Sequence, residues 1–365
     1  MIPFFNYQSL FKENEEEYIK IIKDVCSRGA YILQKDLEEF EKNAAAFINV
    51  KHLIGVANGT DAIWLGLKAL GISSGDEIIL PSHTYIASAA AIHFIGAKPI
   101  LAECGNDNML DINDIERRIT NKTKAIMAVQ INGRCCDMDR IKEIAERYKL
   151  LVVEDSAQAF GARYKNTYAG TFGAFGTFSF YPAKLLGSFG DGGALVTNDD
   201  KIANKVRLLR DHGRDSHGNV IEWGFNSRLD NLQAAILNHK LNNFPNEIIR
   251  RREIASMYHK GLNKIKELRL PEPPMENSDY FDVFQNYELR AKKRNKLKIF
   301  LEDNGVKTII QWAGSPVHSF KNLGFSESLP KTEEFFTECI MLPMNITLKD
   351  EDINYIIQKI KKFYK

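Results

Sequence analysis

Residues 150–162 read LLVVEDSAQAFGA. Leu150 to Val153 are wholly apolar, and the run breaks on the polar groups of Glu154, Asp155 and Ser156. A short, continuous apolar run describes a strand buried on both faces, as in parallel sheets covered by helices. The same cadence recurs upstream. HLIGVAN (52–58), EIILPSH (77–83), KPILAEC (98–104) and KAIMAVQIN (124–132) read as strands. TDAIWLGLKALG (60–71), YIASAAAIHFIG (85–96) and DMDRIKEIAERYK (137–149) read as the helices between them. Downstream, GTFSFY (176–181) and GALVTND (193–199) add two more strands. The chain is therefore expected to be α/β, with a mainly parallel sheet flanked by helices.

After Asp199 apolar residues recur three and four apart, in DKIANKVRLLRDHG (200–213) and RLDNLQAAILNHKLNNF (228–244), which predicts helices. The Pro-rich stretch LPEPPMENSDYF (270–281) breaks the pattern. The remainder of the chain, with AKKRNKLKIFLEDNG (291–305) and VKTIIQW (306–312), reads as a smaller α+β unit. The expected division is a large unit of residues 1–265 and a small one of 266–365.

Composition narrows the function. With 365 residues and 44% hydrophobic content the chain can bury a sizeable core. The 49 basic and 47 acidic groups leave a net charge of +2, which gives no reason to expect a nucleic-acid partner. No apolar run is long enough to span a membrane and no secretory leader opens the chain, so a cytoplasmic location is expected. The five cysteines form no CxxC pair, which predicts buried thiols and neither disulfides nor a metal site.

In open α/β sheets ligands sit beyond the carboxyl ends of the strands, and the polar motifs fall there. In VANGTDAI (56–63) a strand stops at Asn58, Gly59 permits a tight turn, and Thr60-Asp61 opens a helix. Free amides at a helix start favour a phosphate. Plain capping by Thr60 is the alternative, and this motif alone leaves both open. Asp155 ends a very apolar strand, where a carboxylate requires a partner. That partner is either an arginine or a protonated ring nitrogen of a cofactor. The third motif, SFYPAKLLGSFGDGGALVTND (179–199), holds Lys184 between Pro182 and a series of glycines. GDGG precedes a strand and is no dinucleotide loop. Together, a phosphate-binding helix start, a strand-end aspartate and a constrained lysine match the needs of pyridoxal 5′-phosphate.

With these motifs the chain resembles the DegT/StrS family of sugar-nucleotide aminotransferases, essentially from end to end. The resemblance is carried by NGTDAI (58–63), PSHTYIAS (81–88), EDSAQAFGA (154–162), the lysine stretch, LRDHGRDSHG (209–218) and GFNSRLDNLQAAIL (224–237). It implies fold type I of the pyridoxal-phosphate enzymes: a mainly parallel seven-stranded sheet plus a smaller C-terminal α+β domain. It also implies residue roles. Lys184 would carry the cofactor as a Schiff base and move protons. Asp155 would face the pyridine nitrogen, Gln158 the ring hydroxyl, and Tyr85 would stack on the ring. Gly59, Thr60, Asp61 and Ser179 would hold the phosphate. Asn226 would reach the phosphate in a neighbouring subunit, implying a homodimer with composite sites. No metal is implied. For Tyr85 core packing is the plainer alternative, and for Gln158 and Ser179 strand-end capping.

The implied reaction moves the amino group of L-glutamate to a nucleotide-linked ketosugar, in amino-sugar biosynthesis. RGAYILQKDLEEFE (28–41) and the lysine stretch are similar to the members that aminate C3 of dTDP-3-oxo-6-deoxyhexoses. Amination at C4 of a UDP- or GDP-linked sugar is the alternative. The related sugar dehydratases replace the lysine by histidine, and a non-catalytic regulatory protein would be expected to lose Lys184, Asp155 or the phosphate loop. Three departures fall near the site: Gln130 where histidine is common, Leu185 after the lysine, and QWAGSPVHSF (311–320) near the C-terminus. Tyr181, Gln130, Trp312 and His318 are therefore the expected sugar contacts.

Overall fold

The structure, a computed structural model, describes residues 1–365. The strands are β1 (His52–Val56), β2 (Glu77–Pro81), β3 (Lys98–Ala102), β4 (Thr123–Val129) and β5 (Leu151–Asp155), followed by the short hairpin β6 (Arg163–Tyr164) and β7 (Thr167–Tyr168), then β8 (Phe175–Ser179) and β9 (Gly193–Thr197). Seven of them form one sheet in the order β1-β9-β8-β5-β4-β2-β3. Neighbours run parallel except around β9, which is antiparallel to both β1 and β8. This is the mainly parallel seven-stranded α/β sheet expected from the sequence.

The strands are apolar throughout because both faces are covered. Side chains alternate across a strand, so Ile78, Leu80, Met127 and Val153 enter one core while Ile79, Ile126, Ala128 and Val152 enter the other. Helices Gly59–Ala69, Ile86–Phe94 and Asp200–Arg210 close the first face, and helices Lys35–Phe47, Met138–Tyr148 and Asn231–Leu241 the second. Each buried Leu or Ile contributes about 1.5–3 kcal/mol. A one-residue slip of any central strand would exchange the two sets.

The C-terminal part adds β10 (Leu268–Arg269), β11 (Tyr280–Phe281), β12 (Tyr287–Ala291) and β13 (Cys339–Leu342). An antiparallel sheet in the order β10-β12-β13 packs with helices Arg294–Asp303 and Asp350–Phe363 around Tyr258, Tyr287, Leu289, Ile340 and Ile357. VKTIIQW forms no strand; it makes two isolated bridges, Val306 to Ile2 and Ile309 to Met341. Helix Phe244–Leu262 belongs to both parts, with Phe244 and Ile248 in a core of the large sheet and Ile254 to Leu262 in the C-terminal core. The N-terminus joins them again, since Ile2 pairs beside Val306 and Asn345 donates to the Phe4 carbonyl at 3.1 Å.

No cysteine is paired; four are buried as expected, but Cys26 is exposed. No helix is long and apolar enough to cross a membrane. One close approach governs the sheet edge that carries the site. A Cβ on Gly193, the first residue of β9, would lie 2.3 Å from the Asn58 carbonyl carbon and 2.6 Å from the Gly59 nitrogen. Gly193→Ala is therefore expected to destabilise the fold by about 1–3 kcal/mol. Its denaturant midpoint tests this, and a midpoint equal to that of the parent chain contradicts the close packing.

Candidate active site

The carboxyl ends of β1, β2, β4, β5 and β8 open onto a cavity of about 560 Å³. Lys184 enters it from the loop that joins β8 to β9. That loop is clamped throughout. Phe180 N donates to Gly192 O at 2.7 Å, Ser188 N to Phe180 O at 2.8 Å, and Lys184 N to Tyr181 O at 2.8 Å. Gln285 Nε2 donates to Ala183 O at 2.7 Å. A Cβ on Gly187 would lie 2.5 Å from Pro182 O, so glycine alone closes this turn. Lys184 is thus a posed group. Burial pulls its pKa below the ordinary lysine range, and the Asp155 carboxylate opposes that pull.

Asp155 has no arginine partner. Its Oδ2 accepts from Ser88 Oγ at 2.6 Å and its Oδ1 from Ala157 N at 3.1 Å. Thr84 Oγ1 stands 2.6 Å behind Ser88 Oγ. All three come from helix starts or turns at the sheet edge, so the carboxylate is oriented by neutral donors and keeps its charge for the cavity.

The helix Gly59–Ala69 is capped by Asn58, not Thr60: Asp61 N donates to Asn58 Oδ1 at 2.8 Å. The first intrahelical bond is Ala62 N to Asn58 O, which leaves the amides of Gly59 and Thr60 free at the positive end of the helix dipole. A Cβ on Gly59 would sit 2.9 Å from Ser179 Cβ. Asn58, Gly59, Thr60 and Ser179 line the cavity together and form a cradle for an anion. Gln158 Oε1 accepts from Asn132 N at 2.8 Å, which leaves its Nε2 to point elsewhere. Tyr85 and Tyr181 stand on the rim, 56% and 51% exposed. Trp312 lines the cavity with its ring 6.4 Å from Tyr85.

Three expectations are corrected. The Asp61 carboxylate does not face the cavity; it accepts from Trp64 Nε1 at 3.1 Å and Ser227 Oγ at 2.6 Å. Gln130 is fully buried and its carboxamide is committed to the core, donating to Glu154 at 2.8 Å and accepting from Cys136 N at 2.6 Å. It lines the cavity, but its carboxamide is not free for a sugar. His318 is buried outside the cavity, with Nδ1 2.7 Å from Ser82 Oγ and Nε2 3.2 Å from Glu333. Asn226 is exposed and lies outside this chain's cavity, on the strip that bridges to Asp211.

Other lining residues were not singled out in the sequence, although Gln311 opens the stretch 311–320 that was. Phe5 comes from the N-terminal segment, and Gln285, Asn286, Ile309 and Gln311 from the C-terminal part. Only folding brings them to the strand ends. Ser88 was within reach, as the hydroxyl one helical turn after Thr84 in PSHTYIAS.

The free amides, the glycine-lined cradle, the unpaired Asp155 and the posed Lys184 fit pyridoxal 5′-phosphate group by group. Comparison with known proteins agrees. Residues 12–361 match the DegT/DnrJ/EryC1/StrS aminotransferase family. The chain belongs to that family. It is 38% identical, over all of its length and 99% of the relative, to a dTDP-3-amino-3,6-dideoxy-alpha-D-galactopyranose transaminase of Aneurinibacillus thermoaerophilus. It is 36% identical, over 100% of this chain and 99% of the relative, to a Geobacillus stearothermophilus protein called a pleiotropic regulatory protein. Among solved structures it is similar to Streptomyces venezuelae DesV, with a TM-score of 0.95 and 36% identity over 100% of this chain and 98% of that one.

A buried polar network backs the aminotransferase site. Asn132, whose amide holds Gln158, accepts from Asn286 Nδ2 at 2.9 Å and donates to Glu288 Oε2 at 2.6 Å. His83 Nε2 lies 3.6 Å from Glu288, and its Nδ1 lies 2.7 Å from the Asn108 carbonyl. Burial pulls His83 down to about 4, which keeps it neutral, and pushes Glu288 up to about 7, against the bond from Asn132. From the ordinary glutamate range up to about pH 7 the folded state keeps a proton that the unfolded chain has released. Glu288 therefore costs nothing below that window, and its penalty grows through it to a limit of up to about 3 kcal/mol. Glu288→Gln keeps an acceptor for Asn132 and removes the charge. Relative to the parent it is expected to gain about 1–3 kcal/mol on going from pH 5 to pH 8. Urea melts at the two pH values test this, and a pH-independent difference contradicts it.

Proposed function

We propose that this chain transfers the amino group of L-glutamate to C3 of a dTDP-linked 3-oxo-6-deoxyhexose, as a cytoplasmic homodimer that makes amino sugars. The observation that carries the chemistry is Lys184: a lysine on a clamped loop, with a lowered pKa, in the field of an aspartate that has no arginine partner. The choice of sugar is supported by the 38%-identical relative and by the YIL and SFYPAK stretches. The division into units 1–265 and 266–365 belongs to this reading, with the cavity walled from both.

Pyridoxal 5′-phosphate, when bound, supplies the electron sink that makes the amino acid's α-hydrogen acidic. The chain supplies the rest. The Gly59 and Thr60 amides and Ser179 hold the phosphate. Asp155, braced by Ser88 and Ala157, would hold a proton on the pyridine nitrogen. Gln158, with its oxygen occupied by Asn132, would have its Nε2 free for the ring hydroxyl, and Tyr85 would pack against the ring. Lys184 would take the proton from the donor's α-carbon and hold it on Nζ. A lowered pKa raises the fraction of free amine near neutral pH, which a general base requires.

In this reading Asn226 serves the partner subunit's cradle. It sits beside an apolar loop that has no cover within the chain: Val220 is 69%, Ile221 60% and Trp223 92% exposed.

With L-glutamate and dTDP-3-oxo-6-deoxyhexoses, Lys184→Ala is expected to lower kcat by at least about 10³-fold, and Asp155→Asn by about 10²-fold or more. Product mass and the near-visible absorbance of the loaded enzyme are the measurements. Turnover of UDP-linked 4-oxo sugars alone would show the sugar to be misassigned, and a fully active Lys184→Ala would remove the mechanism. Composite sites make a separate demand. Mixed dimers of Lys184→Ala and Asn226→Ala contain one intact site each. Refolding the two variants together is expected to give more activity than the sum of the parents, at most about a quarter of the unmutated level. Strict additivity is the result that rejects sharing.

A further inference from the structure

The C-terminal part contributes three carboxamides to the cavity wall: Gln285, Asn286 and Gln311. Gln285 is committed through Nε2 to Ala183 O, with only its Oε1 unpartnered, and Asn286 through Nδ2 to Asn132 Oδ1. Gln311 differs. It is 2% exposed, and neither its Nε2 nor its Oε1 has a partner in the protein. Buried polar groups are almost always paired, and a carboxamide left with both ends free in a ligand cavity points to a ligand that pairs them.

The backbone supports the same conclusion. Trp312 and Ala313 have φ of 46° and 56°, and Gly314 follows at 79°. Two successive non-glycine residues in the left-handed region are unfavourable, and such strain persists where the surroundings impose it. Here the Trp312 ring is wedged 5.4 Å from His83 and 6.3 Å from Phe336. This left-handed turn presents Gln311 and Trp312 side by side to the cavity.

The charge of the wall limits what Gln311 can read. Among the cavity's lining residues the ionisable ones besides the tyrosines are Asp155, Lys184 and Asp191, so Lys184 is the one cation and it is committed to the chemistry. A carboxylate on the sugar ring would find no counter-charge in this wall. A free N–H donor and a free acceptor on one side chain suit an uncharged substituent that both accepts and donates, which describes a hydroxyl or an acetamido group.

We propose that Gln311 is the residue that selects the ketosugar, by pairing its carboxamide with one uncharged hydroxyl or acetamido substituent of the ring. The proposal rests on the aminotransferase reading above, and the two can fail separately. Gln311→Leu removes both hydrogen-bonding ends at similar size, and Gln311→Glu keeps the acceptor and adds a charge. In both variants the half-reaction with L-glutamate, followed by absorbance, is expected to stay within about twofold of the parent. The half-reaction with the ketosugar is expected to lose about 10- to 1,000-fold in kcat/KM. The holoenzyme's calorimetric affinity for an unreactive dTDP-6-deoxyhexose, with a hydroxyl in place of the ketone, is expected to fall at least about tenfold. Running a dTDP-3-oxo-6-deoxyhexose beside a UDP-2-acetamido-3-oxo sugar identifies the substituent, because the one that Gln311 reads loses the larger factor. The proposal is overturned if Gln311→Leu keeps the parent's ketosugar kcat/KM and affinity. It is also overturned if both half-reactions fall together, as a merely structural role would require. If the parent enzyme aminates no nucleotide-linked ketosugar, the functional reading fails instead.

Discussion

Two adjacent carboxylates at the end of β5 organise the molecule. Neighbouring residues of a strand face opposite sides of a sheet, so Glu154 and Asp155 cannot serve the same layer. Glu154 turns into the protein and accepts four hydrogen bonds: from Gly170 N and Gln130 Nε2 at 2.8 Å, Phe172 N at 2.6 Å and Gly173 N at 3.1 Å. Burial raises its pKa and these donors oppose the rise. A buried carboxylate satisfied this completely fixes everything that donates to it. Gln130 is tied down, so the turn after β4 is tied down. The 170–173 loop is drawn so close that a Cβ on Gly173 would lie 2.3 Å from Val152 O. With Glu154 anchored, β5 cannot slip, and Asp155 is left at the sheet's edge facing the cavity.

This anchoring also explains which features were legible in the sequence. The strands of the large sheet could be read because double burial writes a continuous apolar run for each, and the motifs that end those runs land at the cavity. Lys184, Asp155, Gly59, Thr60 and Ser179 converge there as their positions after strands suggest. Side-chain direction was not legible in the same way. Gln130 and Gln158 both follow a strand by a residue or more and both are glutamines. One faces the core because Glu154 needs a donor; the other faces the cavity because Asn132 N occupies its oxygen. Asp61 looked like a phosphate contact because it opens the helix, but Trp64 and Ser227 draw its carboxylate away. Of the C-terminal wall, only Trp312 and its stretch QWAGSPVHSF stood out in the sequence. Gln285 and Gln311 reach the site only because helix Phe244–Leu262 and the N-terminal segment join the two parts.

That joint is polar as well as apolar. Gly133 adopts φ of 90°, and a Cβ there would lie 2.6 Å from Phe284 N, so the turn after β4 presses directly on the segment before β12. Val283 N donates to Gly133 O at 2.9 Å, and Arg134 pairs with Asp282 at 2.6 Å. Asn132, between the two, touches Gln158 on one side and Asn286 and Glu288 on the other. Gln158 and the C-terminal residues Asn286 and Glu288 therefore share one hydrogen-bonded chain. A shift of the C-terminal part would be felt at Gln158 before any larger rearrangement.

The same economy applies to Lys184. Desolvation alone would drive its amine toward neutrality, and a nearby carboxylate alone would hold it charged. The cavity applies both, with burial the stronger. Asp155 can exert its part because its own hydrogen bonds come from uncharged groups, Ser88 and Ala157, which orient it without neutralising it. An arginine in their place would have stabilised the carboxylate equally well while cancelling its field at the lysine. A neutral brace around one carboxylate thus leaves its field directed at the lysine in the same cavity.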